Sequence, residues 1–171
     1  MKTIGFKKAL PPITRLLNDD SYVTLETVLY QIYMQFPEKR SEYLGKTKGI
    51  IGFQNKNIRQ LWLALALITE DYDNSEKPNY LIELKNYTSP EYSFEIREKA
   101  LMYVNQLQLW DSETFSNLVE ACVHPTWRFS KSSKELLNSV IQESKNYEQL
   151  KMVRKQLSQK ASDYLNSITK E

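Results

Sequence analysis

Glycine is the residue that most constrains this chain. Only Gly5, Gly45, Gly49 and Gly52 occur, so residues 53–171 contain none. A β-rich chain of that length needs tight turns with positive φ, and glycine usually fills them. Its absence predicts helices joined by polar turns. The six prolines stand where helices can begin, because a first-turn residue needs no N–H and suits a fixed φ. Ser89-Pro90-Glu91 is the clearest such start, with a serine cap, proline at the first helical position and an acid in the first turn. Pro12, Pro37, Pro78 and Pro125 read the same way, and Asp111-Ser112-Glu113 is a start without proline.

The apolar spacing agrees with helices. Leu25, Val28, Leu29, Ile32 and Phe36 make one stripe, and Phe94, Ala100, Leu101, Val104 and Leu107 another. Phe115, Leu118, Val119 and Cys122 form a shorter one. Phe129, Ser133, Leu136, Leu137 and Val140 follow, then Leu150, Val153, Leu157, Ala161, Tyr164 and Ile168. Residues 58–68 are apolar nearly all round and read as a buried central helix. The spacing predicts helices over 11–18, 22–36, 38–47, 57–72, 78–87, 91–108, 112–123, 126–143 and 147–169.

Overlaying the stripes exposes a step of 36. Val28, Ala64, Ala100 and Leu136 keep it; so do Leu29, Leu65, Leu101 and Leu137, and Ile32, Ile68, Val104 and Val140. One helix face thus recurs four times, at a length that fits one helical hairpin. The second helices repeat poorly: Leu44 and Tyr80 keep the step, and Ser116 breaks it. A regular all-helical chain can also produce such an overlay by chance. The tetratricopeptide consensus is not evident. The expected fold is all-α, a HEAT/ARM-like right-handed α–α superhelix of about four helical hairpins with period 36. The expected organisation is a single helical-repeat domain over 1–171, the C-terminal part of a larger protein.

Composition removes most catalytic classes. One cysteine, Cys122, excludes a disulfide framework and a four-cysteine zinc site. One histidine, His124, excludes any metal site built on two. Cys122 and His124 lie two positions apart, so a helix points them in different directions and they make no nucleophile–base pair. Cys122 reads as a buried thiol and His124 as a cap or turn residue. The longest apolar run, Leu61 to Ile68, is far short of a membrane span. Lys2, Lys7 and Lys8 precede no long apolar stretch, so no signal peptide is read and a soluble protein is expected. The net charge of +2 and the mixed face of Glu38, Lys39, Arg40, Glu42, Lys46 and Lys48 argue against a nucleic-acid partner. No glycine-rich phosphate loop is present. Asn86-Tyr87-Thr88 is a formal glycosylation sequon. The last helix sets Lys151, Arg154, Lys155, Lys160 and Lys170 opposite its apolar stripe, the pattern of a lid on a terminal repeat; a membrane-surface helix is the alternative.

Trp127-Arg128-Phe129 alternates aromatic and arginine residues, a composition that suits a binding hot spot and also a covered solenoid seam. With Tyr92, Arg97 and Trp110 these residues are the candidate interaction surface. No catalytic or metal-binding residue is assigned.

Several stretches carry a family likeness: Asn18-Asp19-Asp20-Ser21-Tyr22-Val23-Thr24, Tyr92-Ser93-Phe94-Glu95-Ile96-Arg97, Asn117-Leu118-Val119-Glu120-Ala121, and His124-Pro125-Thr126-Trp127-Arg128-Phe129. Together they resemble the helical C-terminal domain of bacterial aminopeptidase N-like zinc metallopeptidases, over about residues 10–157. The resemblance implies a HEAT-like domain that follows a catalytic domain and covers part of its cleft. The family's His-Glu-x-x-His helix and its Gly-x-Met-Glu-Asn stretch are both missing here, so no catalytic residue carries over. Zinc is then expected only in the catalytic domain of a parent protein, and no cofactor in this chain. The expected function is a non-catalytic domain that walls the cleft of a zinc aminopeptidase and stabilises its catalytic domain, its partner. The alternative is a free-standing HEAT-like scaffold for a protein or peptide. A third reading, an enzyme built on carboxylates such as Glu26, Glu98 or Glu120, has the least support.

Overall fold

A computed structural model describes residues 10–52, 57–142, 150 and 152–169. The chain is all-helical, with no strand among the described residues. It divides into two compact units, Met1–Leu81 and Ile82–Glu171.

In the first unit residues 10–15 are helical (α1) and tighten into a 3-10 turn at Leu16–Asn18. α2 is Tyr22–Gln35. Its start is set by polar side chains: the Ser21 hydroxyl accepts the Thr24 N–H at 3.4 Å, and Asp19 Oδ1 accepts the Ser21 N–H at 2.7 Å. Such a cap satisfies donors that have no partner inside the helix. The helix stops at Phe36, held out of the α region at φ −128 and ψ 71 by Pro37. A 3-10 turn at Pro37–Lys39 leads into α3, Arg40–Thr47, so the expected helix 38–47 begins two residues late. α4, Asn57–Ile68, ends four residues before the expected boundary. It is buried on most of its circumference, as its composition predicts, although Ile68 is half exposed. Its Trp62 indole donates to the Leu44 carbonyl at 2.9 Å. α2 packs on both α3 and α4. The Tyr33 hydroxyl and Thr69 Oγ1, at 2.9 Å, close the far end of that pair. Gly52 has φ +93, and a Cβ there would lie 3.3 Å from the Ile58 backbone nitrogen. This turn requires glycine. α5 is Lys77–Asn86.

The second unit contains α6 (Phe94–Gln106), α7 (Ser112–Cys122), α8 (Trp127–Val140) and α9 (Gln159–Thr169). α7 packs along α8, α6 crosses α8, and α9 lies on α7. Leu101, Phe115, Leu118, Val119, Cys122, Phe129, Leu137, Val140, Leu150, Val153, Ala161 and Leu165 fill the core. α7 starts on a full capping box: Asp111 Oδ1 accepts the Thr114 N–H and Thr114 Oγ1 accepts the Asp111 N–H, both at 2.9 Å.

Three further expected helix starts or spans differ. Ser89-Pro90-Glu91 is a turn, closed by Tyr92 N–H to Ser89 O at 3.2 Å, and α6 starts only after Ser93. Proline's fixed φ serves the second position of a turn as well as the first of a helix. Pro125 stands one residue before the N-cap Thr126 rather than inside α8. The continuous helix over 147–169 is interrupted by a 3-10 turn at Arg154–Gln156 and an extended Leu157, ψ 150. There Ser158 caps α9, its Oγ accepting the Ala161 N–H at 3.3 Å. Residues 143–149 and 151, Lys170, and Lys2, Lys7 and Lys8 lie outside the described residues. Of the twelve positions that share the step of 36, all are buried except Ile68 and the partly buried Leu136.

One local solution bears on the missing glycines. α6 ends in a Schellman arrangement, Leu109 N–H to Val104 O at 2.9 Å and Gln108 N–H to Asn105 O at 3.1 Å. The left-handed position that glycine usually takes is held by Gln108, φ 53.

Candidate functional site

All six residues of the expected interaction surface fall in the second unit, and they divide between core and surface. Arg97 is 4% exposed and Phe129 1%. The Arg97 guanidinium carbon stands 5.2 Å from the Phe129 ring centroid. Its Nε donates to Thr88 O at 3.1 Å and its Nη2 to Asn117 O at 3.5 Å. Asn117 in turn donates from Nδ2 to Thr88 Oγ1 at 2.9 Å. Arg97 thus ties the end of α5, α7 and α8 together from within. Burial lowers its pKa, and the nearby Glu120 charge opposes that shift. The sequon hydroxyl, Thr88, is buried and committed to this network.

Tyr92 is half-buried, its ring edge-on to Tyr87 at 5.0 Å. Trp110 stacks on Phe115 at 4.8 Å, and its buried Nε1 has no hydrogen-bond partner among the described residues. Trp127 is 67% exposed and Arg128 is exposed beside it. Only these two present themselves fully to solvent. The structure brings Arg97 and Phe129 together and leaves Trp127 and Arg128 as a separate outward pair.

The chemistry-bearing side chains do not converge. Cys122 is fully buried, and burial pushes its thiol up to about 12. His124 Nδ1 accepts the Thr126 N–H at 3.1 Å, so its role is that of a turn residue before α8. Burial and then the Arg97 charge lower the His124 pKa. Glu120 binds the Ser158 N–H and hydroxyl, and Glu98 accepts from Ser132. Glu26 accepts from Asn57 Nδ2 at 3.0 Å. These carboxylates fasten one chain segment to another. No group of three or more metal-ligating side chains occurs among the described residues, and no helix there is long and apolar enough to cross a membrane.

The sequence reading missed two features of the first unit. The outer face of α2 carries Val23, Tyr30 and Met34, 70%, 45% and 48% exposed, with Thr27 between them. Their spacing of four, three and four residues sets them in one line along the helix. The signal was present, but the buried stripe of the same helix masks it, since both faces are apolar. The second feature is Asp73, which adopts φ 44. Its Oδ2 accepts from Tyr80 Oη at 2.6 Å and Lys48 Nζ at 2.9 Å, which hold its carboxyl below the usual range. Beside them Trp62 meets Tyr80 and Tyr72 edge-on, with Arg59 over its face. Local periodicity gives no hint of contacts this far apart in sequence.

No family model, curated protein or solved structure matches this chain.

Proposed function

We propose that the chain is a non-catalytic helical module that docks on a folded protein body through the outer face of α2. The observation that carries this reading is the line of Val23, Tyr30 and Met34. A helix apolar on two faces belongs to a buried environment. The turn at Leu16–Asn18, α3 and α4 pack on α2, and among the described residues its outer face stays exposed, open to another chain or domain. An exposed apolar line rimmed by polar residues is the usual mark of a protein contact. The occupant it fits is the apolar face of another helix.

The finer reading makes that body the catalytic domain of a zinc aminopeptidase, with this module walling its cleft and zinc held by that domain alone. In support, three of the four stretches that carry the resemblance coincide with helix starts, at Ser21, Ser93 and Thr126. The fold that goes with it is the HEAT-like right-handed superhelix of period 36. Burial of ten of its twelve recurrent positions favours that fold. Solution scattering tests it, since a compact chain of this length has a radius of gyration of about 15–16 Å and a superhelix exceeds it.

Docking is tested by placing the photo-crosslinker benzoylphenylalanine at Met34 and, as control, at the exposed Asn138, in source cells. One discrete crosslinked adduct, within the same polypeptide or to a second one and identified by mass spectrometry of the digest, is expected from position 34 and is lost when Val23→Glu is added. No adduct, or the same adducts from position 138, overturns the reading.

A further inference from the structure

A second feature of the first unit has a different character. Between the α1 end of the chain and α3 lies a cleft of about 420 Å³, lined among others by Arg15, Asn18, Tyr43 and Lys46. That volume lies in the usual range for small-molecule sites. Its polar lining is rich in donors. Arg15 makes no ion pair or hydrogen bond among the described residues, and neither does the Asn18 amide. Lys46 pairs with Glu42 at 2.6 Å, but Glu42 is already bound by Lys39 at 2.8 Å. The lining therefore holds two cations, Arg15 and Lys46, and no carboxylate, while Glu42 outside it is shared between Lys46 and Lys39. The Lys46–Glu42 pair is exposed, and pairs of that kind are worth little, so Lys46 can turn to an incoming anion. Leu17, Tyr43 and Ile50 supply an apolar wall, and Lys46 already lies 5.0 Å from the Tyr43 ring centroid.

We propose that this cleft binds a small organic phosphate. A phosphomonoester carries roughly −1.5 to −2 at neutral pH with three acceptor oxygens, which matches the excess charge and the donors. Arg15 holds the phosphate through its planar fork, Lys46 and Asn18 supply further donors, and the organic part lies against Tyr43, Leu17 and Ile50. The site is independent of the outer face of α2 as a docking surface.

The test is an amide-detected NMR titration of the full chain with phenyl phosphate, with inorganic phosphate and benzoate as comparison arms. Saturable shifts are expected at residues 14–18 and 43–50, weaker with inorganic phosphate and weakest with benzoate. Arg15→Gln and Lys46→Gln should each weaken phenyl phosphate by about tenfold, the loss of one charge-assisted hydrogen bond. Both side chains are exposed, so neither change disturbs the core; Lys131→Gln on α8 should change nothing. Absence of saturation, equal affinity for benzoate, or binding indifferent to Arg15→Gln overturns the proposal. Tighter binding of a DNA duplex at the same residues, with steep salt dependence, also overturns it in favour of a nucleic-acid surface.

Discussion

Truncating Arg97 separates a structural arginine from a contact arginine. Arg97→Ala removes a side chain that is 4% exposed. Beyond the Cβ that alanine keeps, its stem buries two methylenes, worth about 0.8 kcal/mol each. The hydrogen bond to Thr88 O, at 3.1 Å, is charge-assisted and worth about 1.5 kcal/mol or more. The bond to Asn117 O, at 3.5 Å, is too long to add much. Contact with the Phe129 ring at 5.2 Å adds about 1 kcal/mol. Relief of a buried charge offsets part of this sum. The net expectation is a loss of about 3 kcal/mol for Arg97→Ala. Arg97→Met keeps the stem and removes the buried charge, so it should stay within about 1 kcal/mol of the parent. The assay is urea unfolding followed by helical circular dichroism and by tryptophan fluorescence, which reports the second unit through Trp110 and Trp127 and the first through Trp62. An Arg97→Ala loss below about 0.5 kcal/mol, the scale of an ordinary surface change, would refute the assignment of Arg97 to the core.

Gln108→Gly relieves a left-handed residue at φ 53; the strain of about 1–2 kcal/mol outweighs glycine's entropic penalty of about 0.5–1. Thermal unfolding should shift up by a few degrees, and an unchanged or lower midpoint contradicts the strain. His124 has a lowered folded pKa, so its contribution is complete above the unfolded value of about 6.5. It is lost as pH falls below that value toward the folded one, because burial and then the Arg97 charge disfavour the protonated ring, whose Nδ1 then no longer accepts the Thr126 N–H. Stability measured from pH 8 down to 5 should fall more in the parent than in His124→Asn, and parallel curves would be the contrary result. Cys122, buried with its thiol pushed up to about 12, should react with Ellman's reagent only after denaturant is added; full labelling of the folded protein contradicts that burial.

Much of the helical layout was legible because it is local. Turn-forming glycines are missing after Gly52, and the apolar stripes place α2, α4, α6, α7 and α8 to within a few residues. Errors arose where one residue type serves two geometries. Pro90 suits a turn as well as a helix start, and Leu157 fits an apolar stripe yet is extended because Glu120 and Ser158 meet there. Which of the six expected surface residues reach solvent was not legible, since the structure buries Arg97 and Phe129 and exposes Trp127 and Arg128. An arginine in a helical segment looks alike whether it faces solvent, as Arg128 does, or supports a core, as Arg97 does. What decides is the Thr88 and Asn117 carbonyls, brought to Arg97 by packing of helices distant in sequence. The exposed line on α2 was hidden by the stronger stripe behind it, and the Arg15–Lys46 cleft by the distance between its two cations in the chain.

The central claim is that this module works docked on another protein body. The most direct measurement is an immunoblot of source-cell extract with an antibody to this chain, resolved by native size and in parallel under denaturing conditions. The account predicts no free particle of 20.2 kDa. The antibody should find either a heavier polypeptide, in which the module is one part, or a heavier native complex that comes apart in a V23E/Y30E/M34E variant. A 20.2 kDa band that also runs as a native monomer in the unaltered extract would contradict it.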